Sequence, residues 1–378
     1  MSAWHAFRAT WTAILQDKAA LLLFFVSGIV YSFFYPLPYK AETVQRVPIA
    51  VVDLDNSALS RQLIRYAGAH PGISIVAVSA RADDAQALLW QGEAAGTLII
   101  PADFSGKVLA GQQPEVEVGG HGAYPMLNKV ALNGLAEVVG TVSAGIEIKR
   151  LGAGSPSGAQ VDAQRQPLTT EPLPMFNVAE GYASYIVPGV VILVMQQTFL
   201  LGIGLLFGTW TDARTFPYAS SGAAYFGALN AFALVVLLNA LYFFGFVFWW
   251  QGYPRGGNVL GSALLTVAFA YCVAAMGMYM GLFFRTRERS VQLLIATSMP
   301  IVFLSGLTWP VSALPQALQL ARWLLPSTAG IQGLIATNQM GASLHEVRLE
   351  LLALIGLGVL FIGLGVRKWS VRMVPSKD

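Results

Sequence analysis

Residues 184–208 read SYIVPGVVILVMQQTFLLGIGLLFG, an apolar run with no acidic, basic or histidine side chain. As a helix rising 1.5 Å per residue it is about 37 Å long, more than the roughly 30 Å hydrocarbon core of a bilayer. The same character recurs at 19–37, 222–250, 258–284, 290–308 and 349–366, which predicts six transmembrane helices. Composition agrees with this. Of the 378 residues, 55% are hydrophobic and 11% charged, against roughly 25% charged in soluble domains, and the mean hydropathy is +0.58. A disordered chain is excluded and a water-soluble globule disfavoured. The expected fold class is an α-helical polytopic membrane protein.

The net charge of +3 hides a division. Residues 38–182 carry 10 Lys/Arg and 14 Asp/Glu, whereas the remainder carries 13 and 6. A polar, mildly acidic domain is therefore inserted after the first span, and the basic residues edge the membrane part. His5, Arg8 and Lys18 precede the first run as in a signal peptide. That run continues to Tyr35-Pro36-Leu37-Pro38 without a small-residue cleavage site, so it reads as an uncleaved anchor. Arg8, Lys18, Arg214, Arg285, Arg287, Arg289, Arg367, Lys368, Arg372 and Lys377 fall on one side of the spans. The short segments of the other side hold Arg255, Arg322 and Arg348. The positive-inside rule then puts both termini in the cytoplasm and residues 38–182 outside it. No Lys/Arg run with interleaved aromatics points to nucleic acid. Cys272, the single cysteine, excludes an internal disulfide.

Within 38–182, strands are expected at Val47–Val52, Ile73–Val78, from Gly96 to a closing Pro101, and at Glu115–Val118. Helices are expected at Ala58–Ala67 after the capping run Asp55-Asn56-Ser57, at Ala82–Gln91, from Asp103-Phe104, and over Tyr124–Leu151. Strands alternating with helices predict an α/β extracytoplasmic domain, and Gly152–Pro174 reads as a linker. The remaining segments are an amphipathic N-terminal stretch 1–18 (Trp4, Phe7, Trp11), a five-helix transmembrane domain 183–367, and a tail 368–378. Inside the five-helix domain, 309–348 carries Pro310, Pro315 and Pro326, predicting short re-entrant or interfacial helices.

The spans hold no Asp, Glu, Lys, Arg or His except Glu350 at the lip of the last. Buried membrane charges are kept where ions or protons move, so proton- or sodium-coupled transport and a charged filter are disfavoured. No GxxxxGK[ST] loop occurs, and Gly152-Ala-Gly-Ser-Pro-Ser-Gly158 lacks the lysine. His5, His70, His121 and His345 are too scattered for a metal site. Asp53 and Asp55 read better as a strand-end turn and helix cap than as a catalytic pair. No catalytic, cofactor or metal site is expected, and uphill transport requires energy from another chain. Gln196 and Gln197, with Asn230 and Asn239, are the notable polar side chains of the spans. Hydrogen bonding between helices is the favoured role, a polar transport path the second. Gly277-Met-Tyr-Met-Gly281 is a weak small-xxx-small match.

Leu304-Ser-Gly-Leu-Thr-Trp-Pro310, Leu314-Pro315, Leu324-Leu-Pro326-Ser-Thr and Gly333 form a spaced C-terminal pattern. With Val51-Val-Asp53-Leu-Asp55-Asn-Ser57, Gly96-Thr-Leu-Ile-Ile-Pro-Ala-Asp103-Phe104 and Phe176-Asn177…Tyr185-Ile-Val-Pro188-Gly189, it resembles the type-2 ABC exporter permeases. The similarity is to the bacterial branch with a large external domain, and covers nearly the whole chain. Val178 stands where family members often have proline. The resemblance implies a homodimer or a pair with a paralogous permease in the bacterial inner membrane, seated on cytoplasmic ATPase subunits that bind the ATP. It implies export of an amphiphilic drug-like or lipid-like substrate, and admits a periplasmic membrane-fusion adaptor and an outer-membrane channel as partners. The coupling elements would be the N-terminal segment, the loop Thr209–Ser221 with Trp210, Asp212 and Arg214, and the run Arg285, Arg287, Glu288, Arg289. Topology alone explains part of the arginines; Glu288 is balanced between a local ion pair and a partner contact. The competing function is a membrane-anchored receptor or scaffold whose external α/β domain binds a ligand or envelope partner. It leaves five spans unexplained.

Overall fold

The computed structural model describes residues 1–40, 44–152, 176–177 and 181–372. The expected linker lies outside these residues apart from Gly152, and the expected tail lies outside them beyond residue 372. Two compact units result: Met1–Glu42 with Pro174–Asp378, and Thr43–Leu173.

Helix α1 (Ala3–Gln16) starts at Ser2, whose hydroxyl accepts from the His5 amide, and buries a stripe of Ala6, Thr10 and Ile14. Trp4 and Phe7 stack with ring centroids 5.5 Å apart. The helix stops at Asp17, where ψ is 108°. The Asp17 carboxylate caps the next helix, α2 (Lys18–Tyr39), accepting from the amides of Ala19 and Ala20 at 3.0 Å each. A π-helical turn at Leu22–Val26 interrupts α2.

The second unit alternates as expected: β1 (Val47–Asp53), α3 (Ala58–Ala69), β2 (Ile73–Ser79), α4 (Ala82–Gln91), β3 (Gly96–Ile100), α5 (Phe104–Leu109), β4 (Glu117–Gly120) and α6 (Pro125–Gly152). The sheet order is β2-β1-β3-β4. The first three strands are parallel, which requires helical crossovers, and β4 is antiparallel to β3. Alternation in β1 serves both faces: Val47, Ile49 and Val51 pack with Leu63 of α3 and Leu135 of α6, while Ala50 and Val52 pack with Ala85 of α4. Asp53 accepts from the amides of Asp55 and Asn56 and from the Ser60 hydroxyl. Asp55 accepts from the amide and hydroxyl of Ser105. These contacts give both carboxylates structural roles in turns.

In the first unit α7 (Tyr182–Asp212) is the central helix, 78% buried across its most apolar window. Helix α8 (Gly222–Gln251) contains a π-helical stretch, Leu241–Val247, and is followed by α9 (Val259–Gly281). The expected run 290–308 is not one continuous helix. It is α10 (Arg287–Ala296) and α11 (Ser298–Leu304), of 10 and 7 residues, broken at Thr297. Pro300 lacks the amide hydrogen that would continue the ladder back to Ala296. The proline-rich segment forms short pieces, among them α12 (Gln316–Ala321) and α13 (Pro326–Leu334). Helix α14 (Arg348–Arg372) ends the described chain. Among the described residues, five helices (α2, α7, α8, α9 and α14) are long and apolar enough to cross a membrane. Aromatic packing fixes their approach: Phe24 of α2 lies 5.1 Å from Phe199 and 6.1 Å from Phe232. A Cβ on Gly202 would sit 2.6 Å from the Phe24 ring.

Candidate functional site

The expected coupling loop begins later than its sequence suggests. Helix α7 runs on to Asp212, and in its last turns Thr209 and Thr211 donate their hydroxyls back to the carbonyls of Leu205 and Phe207. The chain then turns through Arg214 in the left-handed region, φ 50°, leaving residues 213–221 as the loop. Asp212 and Arg214 are exposed. Trp210 is not: at 7% exposure it packs against Phe207, Phe216 and Tyr218. It is a floor under the loop, not a contact on its surface.

That floor extends across the bundle end. The Tyr218 hydroxyl lies 2.8 Å from Thr10 Oγ1, and Thr10 itself donates to the Ala6 carbonyl, so Tyr218 is the donor and ties the loop to α1. Burial pushes the Tyr218 pKa above its ordinary value. Trp369 of α14 donates its indole N–H to Ala219 at 3.1 Å and stands edge-on to Tyr225.

The second expected segment meets the first at a glycine. A Cβ on Gly208 would lie 2.6 Å from the Thr286 carbonyl oxygen, so the absence of a side chain there lets residues 285–289 abut the end of α7. Thr286 caps α10. Arg285, Glu288 and Arg289 are exposed. Arg287 turns inward and makes a two-point contact with Asp17, at 2.8 and 3.2 Å. Glu288 sits in the first turn of α10, where a negative charge complements the helix dipole; among the described residues it forms no ion pair. The sequence singled out the arginines but missed Asp17, Thr10, Tyr218 and Trp369, whose partners are remote in the chain.

The polar side chains of the spans join helices. Gln196 accepts from the Ser327 amide at 2.5 Å, capping α13, and Gln197 donates to Ser298 at the α10–α11 break, 2.8 Å. Asn239 donates to the Phe24 carbonyl beside the π turn of α2, 2.9 Å, and Asn230 accepts from Tyr271, 2.9 Å. Among the described residues, Gln196 Nε2, Gln197 Oε1, Ser327 Oγ and Thr328 Oγ1 are buried without a hydrogen-bond partner. Among the described residues no cluster of His, Cys, Asp and Glu has metal-binding geometry.

The family model for ABC-2 family transporter proteins matches residues 18–367, from the first span to the last. The chain belongs to the ABC-2 transporter family. It is also similar to the inner membrane transport permease YhhJ of Escherichia coli (strain K12), 23% identical over 371 residues covering 94% of each chain. The YhhJ permease of Shigella flexneri matches with the same identity and coverage. This ABC-2 chain is thus the membrane permease subunit of an ABC transporter, a multi-pass inner membrane protein that associates with an ATP-binding subunit. The receptor or scaffold reading gives way, since the spans it leaves unexplained are the permease itself.

Proposed function

We propose that this permease exports an amphiphilic, drug-like or lipid-like substrate, working as a homodimer or beside a paralogous permease, with ATP bound and hydrolysed by a separate chain. The carrying observation is that Asp212, Arg214, Arg285, Glu288 and Arg289 are exposed on two segments abutting at Gly208. Beneath them lies a buried aromatic floor, and Asp17–Arg287 ties them to the start of the first span. A push on this surface is delivered to α1, α2, α7, α10 and α14 together. The basic residues at 8, 18, 214, 285, 287, 289, 367 and 368 support placing this end in the cytoplasm, with α10–α11 completing a six-span count. Charge-free spans support energy from ATP over energy from an ion gradient.

The polar unit, on this orientation, lies outside and serves as a docking module, handing substrate on or holding an adaptor. Its α/β core needs no membrane, and its acidic pair is occupied by turns. The test is reconstitution. The purified permease alone hydrolyses no ATP, and ATPase activity and export appear on adding the cytoplasmic ATPase. Saturable hydrolysis by the isolated chain would overturn the division of labour. Replacing residues 40–175 by a flexible linker leaves ATPase binding intact and abolishes export; full-rate export by that variant removes the docking role.

A further inference from the structure

We propose that the groove between α8, α9 and the turn after α13 is a site for a resident anionic phospholipid of the bilayer, one acyl chain in the groove and the phosphate on Arg255. The groove has a volume of about 420 Å³. Its walls are Leu241, Phe244, Val259, Ala263 and Val267, with Leu334 behind them. Two π-helical stretches border it, Leu241–Val247 in α8 and Ile335–Gln339 after α13. A π turn widens the backbone and displaces the side-chain rows from their regular packing. Small residues keep the space open: a Cβ on Gly245 would meet nothing closer than Leu241 at 3.7 Å.

Three observations choose the occupant. Leu241, Val259 and Val267 are 69%, 72% and 43% exposed, and they belong to helices that cross the membrane, so the groove opens onto hydrocarbon. Trp249 and Trp250, 59% and 62% exposed, lie in the last turn of α8, a few residues before Arg255; tryptophans of this kind sit at headgroup depth. Arg255 lies at the mouth of the groove, exposed and without an ion pair among the described residues. Its loop is fixed from behind: Gly256 N–H donates to Asn338 Oδ1 at 3.1 Å, Gly257 N–H to the Asn338 carbonyl at 3.0 Å, and Asn258 N–H to the Thr337 carbonyl at 2.8 Å. Among the described residues no carboxylate lines the groove. An exposed guanidinium on an anchored loop above an apolar slot matches a phosphodiester joined to an acyl chain, and guanidinium suits phosphate oxygens in two-point geometry.

The test is native mass spectrometry of the purified full-length permease titrated with phosphatidylglycerol and phosphatidylcholine of identical acyl chains. The expected result is phosphatidylglycerol retained about tenfold more than phosphatidylcholine, an advantage of about 1.4 kcal/mol. Arg255→Gln should remove that preference, Arg255→Lys should keep part of it, and Ala263→Phe should lower retention of both lipids. Equal retention of the two lipids by the wild type, or a preference unchanged in a monodisperse Arg255→Gln variant, overturns the site. Loss of bound phosphatidylglycerol during ATP turnover in the assembled transporter would make it cargo, and contradicts the resident assignment.

Discussion

Asp17 and Arg287 are 270 positions apart in sequence, yet the guanidinium of one grips the carboxylate of the other at 2.8 and 3.2 Å. The same carboxylate caps the first span through the amides of Ala19 and Ala20. A single acidic side chain therefore joins the end of α1, the start of α2 and the start of α10.

Asp17→Asn separates the two roles, because an asparagine oxygen still caps a helix while the charge pair is lost. With side-chain exposures of 36% and 17% the pair is partly screened, and a loss of about 1 kcal/mol is expected. A melting temperature lowered by roughly 2–4 °C checks this. Transport should fall more steeply than stability. Arg287→Lys should match the loss of transport, since lysine cannot make the two-point contact.

Gly208 tests whether the two coupling segments must touch. Gly208→Val places carbon against the Thr286 carbonyl, 2.6 Å from the Cβ position, and should displace residues 285–289. Gly222→Ala, where nothing lies within 4 Å, is the control. Co-purification of the ATPase should drop in the first variant and be unchanged in the second.

Asn239 and Gln196 should differ although both link helices. Asn239 donates to two carbonyls, Phe24 and Val235, and Asn239→Leu should cost about 1 kcal/mol. Gln196→Leu loses the bond from Ser327 but also removes the unpartnered Nε2 from a buried site. The two effects oppose one another, and the smaller change in thermal unfolding belongs to Gln196.

Asp55 gives the polar unit an acid-sensitive joint. Burial works to raise its pKa, but hydrogen bonds from Ser57 and Ser105 outweigh it and hold the carboxyl below the ordinary 3.8. A depressed folded-state pKa contributes stability that is present above the unfolded value and lost as pH falls through the folded one. Protection of the Ser105 amide from hydrogen exchange, taken relative to its intrinsic rate, should fall below about pH 4. In Asp55→Asn that pH step should disappear.

Much of this fold is legible because its signals are local. Val47–Val52 and Ile73–Val78 are β-branched runs bounded by turn residues, and β1 and β2 extend each by a single residue, to Asp53 and Ser79. The break in 290–308 was hidden because hydropathy averages over a run, and Pro300 sits among Met299, Ile301 and Val302. The burial of Trp210 is not legible for a different reason. Its burial depends on Phe216 and Tyr218, brought back by a turn at Arg214 that the sequence does not announce. Asp17 was invisible for the most general reason: only the fold places it beside Arg287.

The most direct test of the coupling surface uses the chain's own chemistry, since Cys272 is its single cysteine and is buried. Cysteines introduced as Asp212→Cys and, separately, Arg289→Cys should both crosslink to the cytoplasmic ATPase in intact membranes, with yields that change when ATP is bound. Both should resist an impermeant thiol reagent applied from outside. Labelling from outside, or crosslinking by neither position while the transporter remains active, would contradict the account.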